Sequence, residues 1–314
     1  MTTSEADMHT EARSSRPSAR LVAVARAAGL GLAYAASLTA LALPVGVGYF
    51  AYQRWIGGQS LQEASLHLED ALLLLQAVAA ALGMLAAFVW VRFFLRRVDR
   101  EGDLRALGMV GRPRGWARFA LGAAGGAAVA GISIALAFAL GDLRLGSSHW
   151  QVEGGADVAV DLIGALVAIL CSVIGEELVF RGYMTWTLRR AWPAGAAVVW
   201  SAILFAGYRA LMAPSSTLVL LNTLAAGVVL AGLFRLTGSL HVSIGARLGW
   251  AAVIGLVFSL PVAGSPVEGV LYLLPTAGLA LGRAFGPEGS WILLALLAVG
   301  VALVTAAGLS RRAH

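Results

Sequence analysis

Residues 158–182 have the sequence VAVDLIGALVAILCSVIGEELVFRG, and this stretch decides the fold class. Before its glutamate pair the only charged residue is Asp161, so the apolar part approaches the ~20 residues that a bilayer-spanning helix needs. The stretch then carries two adjacent glutamates, Glu176 and Glu177, with Arg181 one helical turn later. We therefore predict a membrane-spanning helix with a charged cluster at its inner edge.

The rest of the chain repeats this pattern. Of its 314 residues, 59% are hydrophobic and 13% are charged, whereas about 25% are charged in an ordinary soluble domain. Such a chain has too few charges for a polar shell. The sequence thus predicts an all-α fold, a polytopic membrane helical bundle of about eight transmembrane helices. The predicted spans are 27–52, 71–95, 117–141, 158–180, 195–213, 216–234, 240–262 and 291–309.

The chain divides into a short tail and one membrane domain. Residues 1–20 are polar and rich in Ser, Thr and Ala, which predicts a disordered cytoplasmic tail. Residues 21–314 form the predicted transmembrane domain. Because no small-residue cleavage site follows the first apolar stretch, we interpret that stretch as a retained anchor rather than a signal peptide.

Arginine supplies all 23 basic residues, and its distribution predicts the topology. Arginine-rich and arginine-poor connections alternate along the chain with one near-tie, and the 96–116 connection is the richest, with six. Cytoplasmic connections of membrane proteins carry this excess. We therefore expect a multi-pass protein of the cell membrane with both termini cytoplasmic. The expected partners of the arginines are membrane lipids, and no nucleic acid is expected.

Topology does not explain the charges that fall within spans. They are Glu176, Glu177, Arg181, Arg209 and Arg247. A charge at the bilayer centre costs at least about 2.5–3.5 kcal/mol, so such residues usually face a partner or a wet cavity. Glu177 and Arg181 share a helix face because they are four residues apart. The residues alone leave two interpretations open: an ion-pair cluster that joins helices, or a catalytic or binding centre.

The string GEELVFRG at 175–182 resembles the Glu-Glu-x-x-x-Arg motif of the CAAX protease and bacteriocin-processing (CPBP, ABI) family. Phe205 to Arg209 matches the place of that family's Phe-x-x-x-His motif, and LFRLTGSLHVSIGAR at 233–247 is similar to the segment leading to its His-x-x-x-Asn motif. The resemblance covers about residues 158–255. It implies an intramembrane endopeptidase of about eight helices that acts on a membrane-embedded peptide or protein substrate.

The resemblance also implies roles for the charged residues. Glu176 would activate the water that attacks the scissile carbonyl, with Glu177 and Arg181 as positioning neighbours. The sequence departs from the pattern at Arg209, which replaces the second-motif histidine, and at Arg247 and Ala251, which replace the third-motif histidine and asparagine.

These replacements change the expected chemistry. Arginine stays protonated, so it cannot act as a base or as a neutral metal ligand, although it can still donate hydrogen bonds to an oxyanion. Two carboxylates without a nearby His or Cys are too few ligands for zinc. We therefore expect reduced or absent peptidase activity, no metal site and no cofactor.

Two other functions remain open. The first is a non-catalytic membrane protein on the same fold, a pseudoenzyme or scaffold, or an anion-binding protein, since the five charges sum to +1. The second is a secondary transporter, which is disfavoured because we detect no repeat between the two halves of the chain. Tyr208 and Trp250 flank the substituted positions and are candidates for lining the same cavity, with packing as the simpler interpretation.

Overall fold

The computed structural model describes residues 17–66, 68–100, 104–109, 114–152, 155–213, 215–276 and 283–311. Within these ranges the chain is helical apart from one two-stranded sheet and the connections between the elements. Eight of the described helices are long and apolar enough to cross a membrane. The predicted all-α polytopic bundle is confirmed.

The first half of the chain forms three of these long helices. Its elements are α1 (Pro17–Trp55), α2 (Leu61–Leu66), α3 (Leu68–Phe93) with a π-helical extension (Phe94–Val98), a 3-10 turn (Leu104–Leu107), α4 (Gly115–Ala139), β1 (Leu143–Ser148) and α5 (His149–Val152).

The second half forms the other five. Its elements are α6 (Gly155–Glu177), a π-helical segment (Leu178–Met184), α7 (Thr185–Arg189), α8 (Ala194–Met212), α9 (Thr217–Thr237), α10 (Leu240–Ala251) with a π-helical extension (Ala252–Val257), β2 (Leu271–Pro275), a 3-10 segment (Arg283–Gly289) and α11 (Trp291–Ser310).

The first helix begins earlier than the sequence pattern indicates. Helix α1 starts at Pro17, whereas the predicted span starts at residue 27 and the predicted tail ends at residue 20. Proline suits the first helical position, because the N–H that it lacks has no intrahelical partner there. Residues 1–16, where the rest of the predicted tail falls, lie outside the described part of the chain.

The helix that contains the fourth predicted span is longer than that span, and the glutamate pair lies within it. The helix runs without a break from Val158 to Arg189, through the π-helical segment and α7, whereas the predicted span ended at residue 180. Glu176 and Glu177 therefore lie inside this long helix rather than at its edge. Every residue from Leu178 to Met184 is buried, so the main hydrophobic core surrounds the continuation of the motif.

The π-helical segment has its own hydrogen-bond partners. The carbonyl oxygen of Phe180 accepts hydrogen bonds from Thr185 Oγ1 at 3.0 Å and from Ser201 Oγ at 2.9 Å. The two hydroxyls also lie 3.0 Å from each other. Because Ser201 belongs to α8, this network joins the motif helix to the next long helix.

Helices α4 and α10 pack with almost no space between their backbones. A Cβ atom at Gly126 would lie 1.9 Å from the carbonyl oxygen of Ala246, and one at Gly249 would lie 2.0 Å from that of Ala123. The glycines that share this property are Gly122, Gly126, Gly245 and Gly249. Contact this close fixes the position of α10, the helix that carries Arg247.

The two strands join connections at one end of the bundle. Strands β1 and β2 pair antiparallel, with Leu143 opposite Pro275 and Leu145 opposite Leu273. Leu143 and Leu273 face a second, smaller core cluster. The strands thus tie the α4–α6 connection to the long connection between α10 and α11.

Candidate active site

The five charges that the sequence predicts as site residues come together from three long helices, of which the first consists of α6, the π-helical segment and α7. Glu176 and Glu177 end α6, and Arg181 lies in the π-helical segment that follows. Arg209 is in the last turn of α8, and Arg247 is on α10. Each arginine contacts at least one of the two glutamates.

Glu176 has three neighbours of different character. Its Oε2 forms an ion pair with Arg247 Nη2 at 2.7 Å. Its Oε1 accepts a hydrogen bond from Tyr208 Oη at 3.3 Å and lies 3.8 Å from Arg209 Nη1. The Glu176 side chain is 8% exposed, so these partners replace most of the water around the carboxylate. Tyr208 is thereby placed at the site.

Glu177 is fully buried and shares a partner with Glu176. Its Oε1 lies 3.1 Å from Arg181 Nη1 and accepts a hydrogen bond from Arg247 Nη1 at 3.3 Å. The N–H bonds of Arg181 are not aligned with this oxygen, so charge attraction rather than a hydrogen bond holds the Arg181–Glu177 pair. Arg247 therefore bridges the two glutamates.

Aromatic rings line the buried side of the cluster. The guanidinium carbon of Arg181 lies 4.1 Å from the centroid of the Phe205 ring, and that of Arg247 lies 5.6 Å from it. Cations over a ring face are attracted by its quadrupole, most strongly where water is excluded. Tyr208 stacks on Tyr34 of α1 with centroids 5.8 Å apart. Trp250 packs against the hydrophobic core, in line with the packing interpretation.

The structure adds a sixth charge, Glu288, that the sequence analysis did not identify. Its Oε2 lies 3.8 Å from Arg209 Nη2. With Glu288 the cluster contains three glutamates and three arginines, and their six formal charges sum to zero, compared with +1 for the five charges identified in the sequence. Little in the sequence indicates that Glu288 belongs to the site, because it lies in a long connection where no periodicity shows which carboxylate approaches Arg209.

The cluster offers ion pairs rather than metal ligands. Among the described residues, no group of three or more His, Cys, Asp or Glu side chains is placed to hold a metal ion. A guanidinium lies against each glutamate of the cluster, and a cation in that place would have to displace it.

In the described part of the chain, one of the eight helices long and apolar enough to cross a membrane carries the Glu-Glu-x-x-x-Arg sequence. Residues 158–253 match the family model described as Type II CAAX prenyl endopeptidase Rce1-like. The chain therefore contains an Rce1-like domain over these residues, and the predicted resemblance to the CAAX protease family is confirmed.

The matched region contains all five predicted site residues, whereas Glu288 lies outside it. No curated protein matches the chain, and no solved structure matches it.

Proposed function

We propose that this multi-pass protein resides in the cell membrane with both termini cytoplasmic, and that it is a CAAX-type intramembrane endopeptidase whose activity is impaired. The observation that carries the proposal is the Arg247 bridge, with Nη2 at 2.7 Å from Glu176 Oε2 and Nη1 at 3.3 Å from Glu177 Oε1. A permanently charged group occupies the place where the family motif has a histidine.

This geometry opposes the proton transfer that the reaction needs. A general base must take a proton from the attacking water, and its efficiency depends on its readiness to accept one. If Glu176 accepted that proton, its ion pair with Arg247 would be lost, and a partly buried guanidinium would be left without full compensation. The arginines therefore favour the ionised, paired glutamates. In this role the cluster holds α6, α8 and α10 together.

A second candidate function is an active endopeptidase that uses an arginine as oxyanion donor. Arg209 favours it, because its guanidinium lies 3.8 Å from Glu176, beyond hydrogen-bond distance, and its side chain is 17% exposed. Such a donor could stabilise the oxyanion formed when water attacks a carbonyl. Glu176 would then be the base, and the substrate would be a membrane-embedded peptide or protein.

A cleavage assay on the purified protein in detergent tests the proposal. The probe is a panel of quenched fluorescent peptides, and the variants are wild type and Glu176→Ala. We expect wild type to cleave no faster than Glu176→Ala, because the wild-type glutamate is held by arginine. Robust cleavage by wild type that disappears in Glu176→Ala would establish the second candidate instead.

Restoring the family residues supplies a positive control for the same assay. We expect Arg209→His with Arg247→His to be insufficient, and the triple variant that adds Ala251→Asn to gain Glu176-dependent cleavage. The melting temperature of each variant, measured in the same detergent, shows whether a silent variant is folded. If the triple variant cleaves the peptides and the wild-type protein cleaves them equally fast, the proposed impairment is contradicted.

A further inference from the structure

Arg209 is shared between two carboxylates that belong to different parts of the chain. Its Nη1 lies 3.8 Å from Glu176 Oε1 on the motif helix, and its Nη2 lies 3.8 Å from Glu288 Oε2 on the connection before α11. Both separations exceed hydrogen-bond distance, whereas Arg247 approaches Glu176 to 2.7 Å. The Arg209 guanidinium thus lies equally far from the two carboxylates and beyond hydrogen-bond distance of both.

The backbone around Glu288 is fixed, so its carboxylate is presented to Arg209 from a defined position. Asn222 of α9 is 2% exposed, and its Nδ2 donates hydrogen bonds to the carbonyl oxygens of Glu288 and Ser290, both at 2.9 Å. Ser290 caps α11 by accepting a hydrogen bond from the backbone N–H of Leu293 at 3.1 Å. Pro287 further restricts the backbone immediately before Glu288.

The two carboxylates differ in what they gain from Arg209. Glu176 is buried and already has Arg247, whereas the Glu288 side chain is 22% exposed and can be solvated in part. Attraction between unit charges falls with distance and is screened less in a buried pair. Without Glu288, the guanidinium of Arg209 would therefore be drawn towards Glu176.

We propose that Glu288 is a positioning residue that competes with Glu176 for Arg209 and keeps this guanidinium from closing on the glutamate pair. The proposal rests on the proposed function for the role of the Glu176 site. It extends the site beyond the matched region, residues 158–253, to the connection that precedes α11. According to this proposal, the strength of the Glu176–Arg209 ion pair depends on Glu288, which lies outside the motif.

A double-mutant cycle measures this dependence. The cycle combines Glu176→Gln and Arg209→Gln in the full-length protein in detergent, and the non-additive part of the melting-temperature shift reports the coupling of the pair. The cycle is run in wild type and in a Glu288→Gln background. Closing the contact from 3.8 Å to about 2.8 Å strengthens the charge attraction about 1.4-fold, so we expect the coupling to increase by at least that factor.

Glu268→Gln is the matched control. Glu268 lies on the same connection and accepts a hydrogen bond from Tyr272 Oη at 2.7 Å, away from Arg209. We expect the Glu176–Arg209 coupling to be unchanged in this background. A coupling that stays the same or falls in Glu288→Gln, or that rises equally in Glu268→Gln, overturns the proposal.

A second variant keeps the test decisive if Glu288→Gln does not fold. Glu288→Asp keeps the negative charge but moves it away from Arg209 by one methylene group. We expect the Glu176–Arg209 coupling in this variant to exceed that of wild type, and a coupling at or below the wild-type value overturns the proposal.

The cleavage assay and the coupling measurement together distinguish the two proposals. Cleavage by wild type combined with the expected rise in coupling would refute the impaired-protease function alone. No cleavage combined with an unchanged coupling would refute the role of Glu288 alone.

Discussion

Arg247 contacts Glu176 and Glu177 at the same time because a guanidinium is planar and has several N–H donors. One terminal nitrogen lies against Glu176 Oε2 and the other against Glu177 Oε1. A lysine ammonium is a compact point charge without this fork, and a histidine ring is smaller and is often neutral. We therefore propose that arginine at the position of the motif histidine makes this site an ion-pair bridge rather than a proton-handling centre.

Loss of Arg247 should destabilise the protein strongly. In Arg247→Ala the buried Glu176 loses its 2.7 Å ion pair, and Glu177 loses one of the two arginines that it contacts among the described residues. Removing one partner of a buried ion pair typically costs about 3–5 kcal/mol, and we expect a value near the lower end because the Arg247 side chain is 19% exposed. The measurement is the free energy of unfolding in mixed detergent micelles.

Arg189→Ala is the matched control for this experiment. Arg189 is exposed at the end of α7, and exposed substitutions usually change stability by less than about 0.5 kcal/mol. If Arg247→Ala were as mild as Arg189→Ala, the bridge would contribute little to folding, and the ion-pair interpretation of the cluster would fail.

Between α4 and α10, four glycines allow the two backbones to touch. In a bilayer the apolar tails of the lipids compete with apolar side chains, so helices associate largely through close packing of small residues. Ala246, which meets Gly126, directly precedes Arg247 in the chain. The glycine contact therefore determines how far the guanidinium reaches towards the glutamates.

Two adjacent glycines of α4 provide a matched test of this contact. In Gly126→Ala the new methyl group would meet the backbone of α10, with the Ala246 oxygen 1.9 Å from the ideal Cβ position, whereas nothing lies within 4 Å of a Cβ at Gly125. Overpacking typically costs about 1–3 kcal/mol. We expect Gly126→Ala to lower the melting temperature in detergent and Gly125→Ala to leave it unchanged or raise it. Equal effects at the two positions would contradict the close contact.

The π-helical segment shows that the local spacing of residues does not predict every feature of a helix. Glu177 and Arg181 were expected to meet because they are four residues apart, and they do, at 3.1 Å. The i,i+4 rule does not indicate the π-helical turn that begins at Leu178. Within that turn, the Phe180 carbonyl accepts a hydrogen bond from Ser201, which belongs to another helix.

At the scale of the whole molecule, contacts at one end of the bundle join the N-terminal helix to the motif helix. Arg26 of α1 forms an ion pair with Asp99 at 2.8 Å, and Tyr183 of the π-helical segment donates a hydrogen bond to the same carboxylate at 2.6 Å. The guanidinium of Arg20 lies 5.0 Å from the centroid of a Trp192 ring. Arginine-rich connections meet at this end, which we propose to be cytoplasmic.

Labelling of single cysteines tests this orientation. In a Cys171→Ser background, which removes the one native cysteine, the variants Arg144→Cys and Arg189→Cys each place a thiol at an exposed position, in β1 and at the end of α7. We expect a membrane-impermeant maleimide to label Arg144→Cys on intact cells and to label Arg189→Cys only after permeabilisation. The reverse pattern would invert the proposed topology.

The sequence by itself determined the class of fold, the eight long helices and the identity of five residues in the charged cluster. It could do so because a charge within an apolar span is costly and therefore conspicuous. The same reasoning placed the end of the fourth span at residue 180, because a local pattern cannot show that residues 178–184 are buried within the bundle.

Only the tertiary structure decided how the charges are paired. That Arg247 bridges both glutamates, that Tyr208 donates to Glu176 and that Glu288 completes the cluster all depend on distances between helices far apart in the chain. The physical reason is that the residue type alone gives a side chain its charge, whereas helix packing determines which opposite charge lies near it. Here that packing is set by glycines that allow α10 to lie against α4.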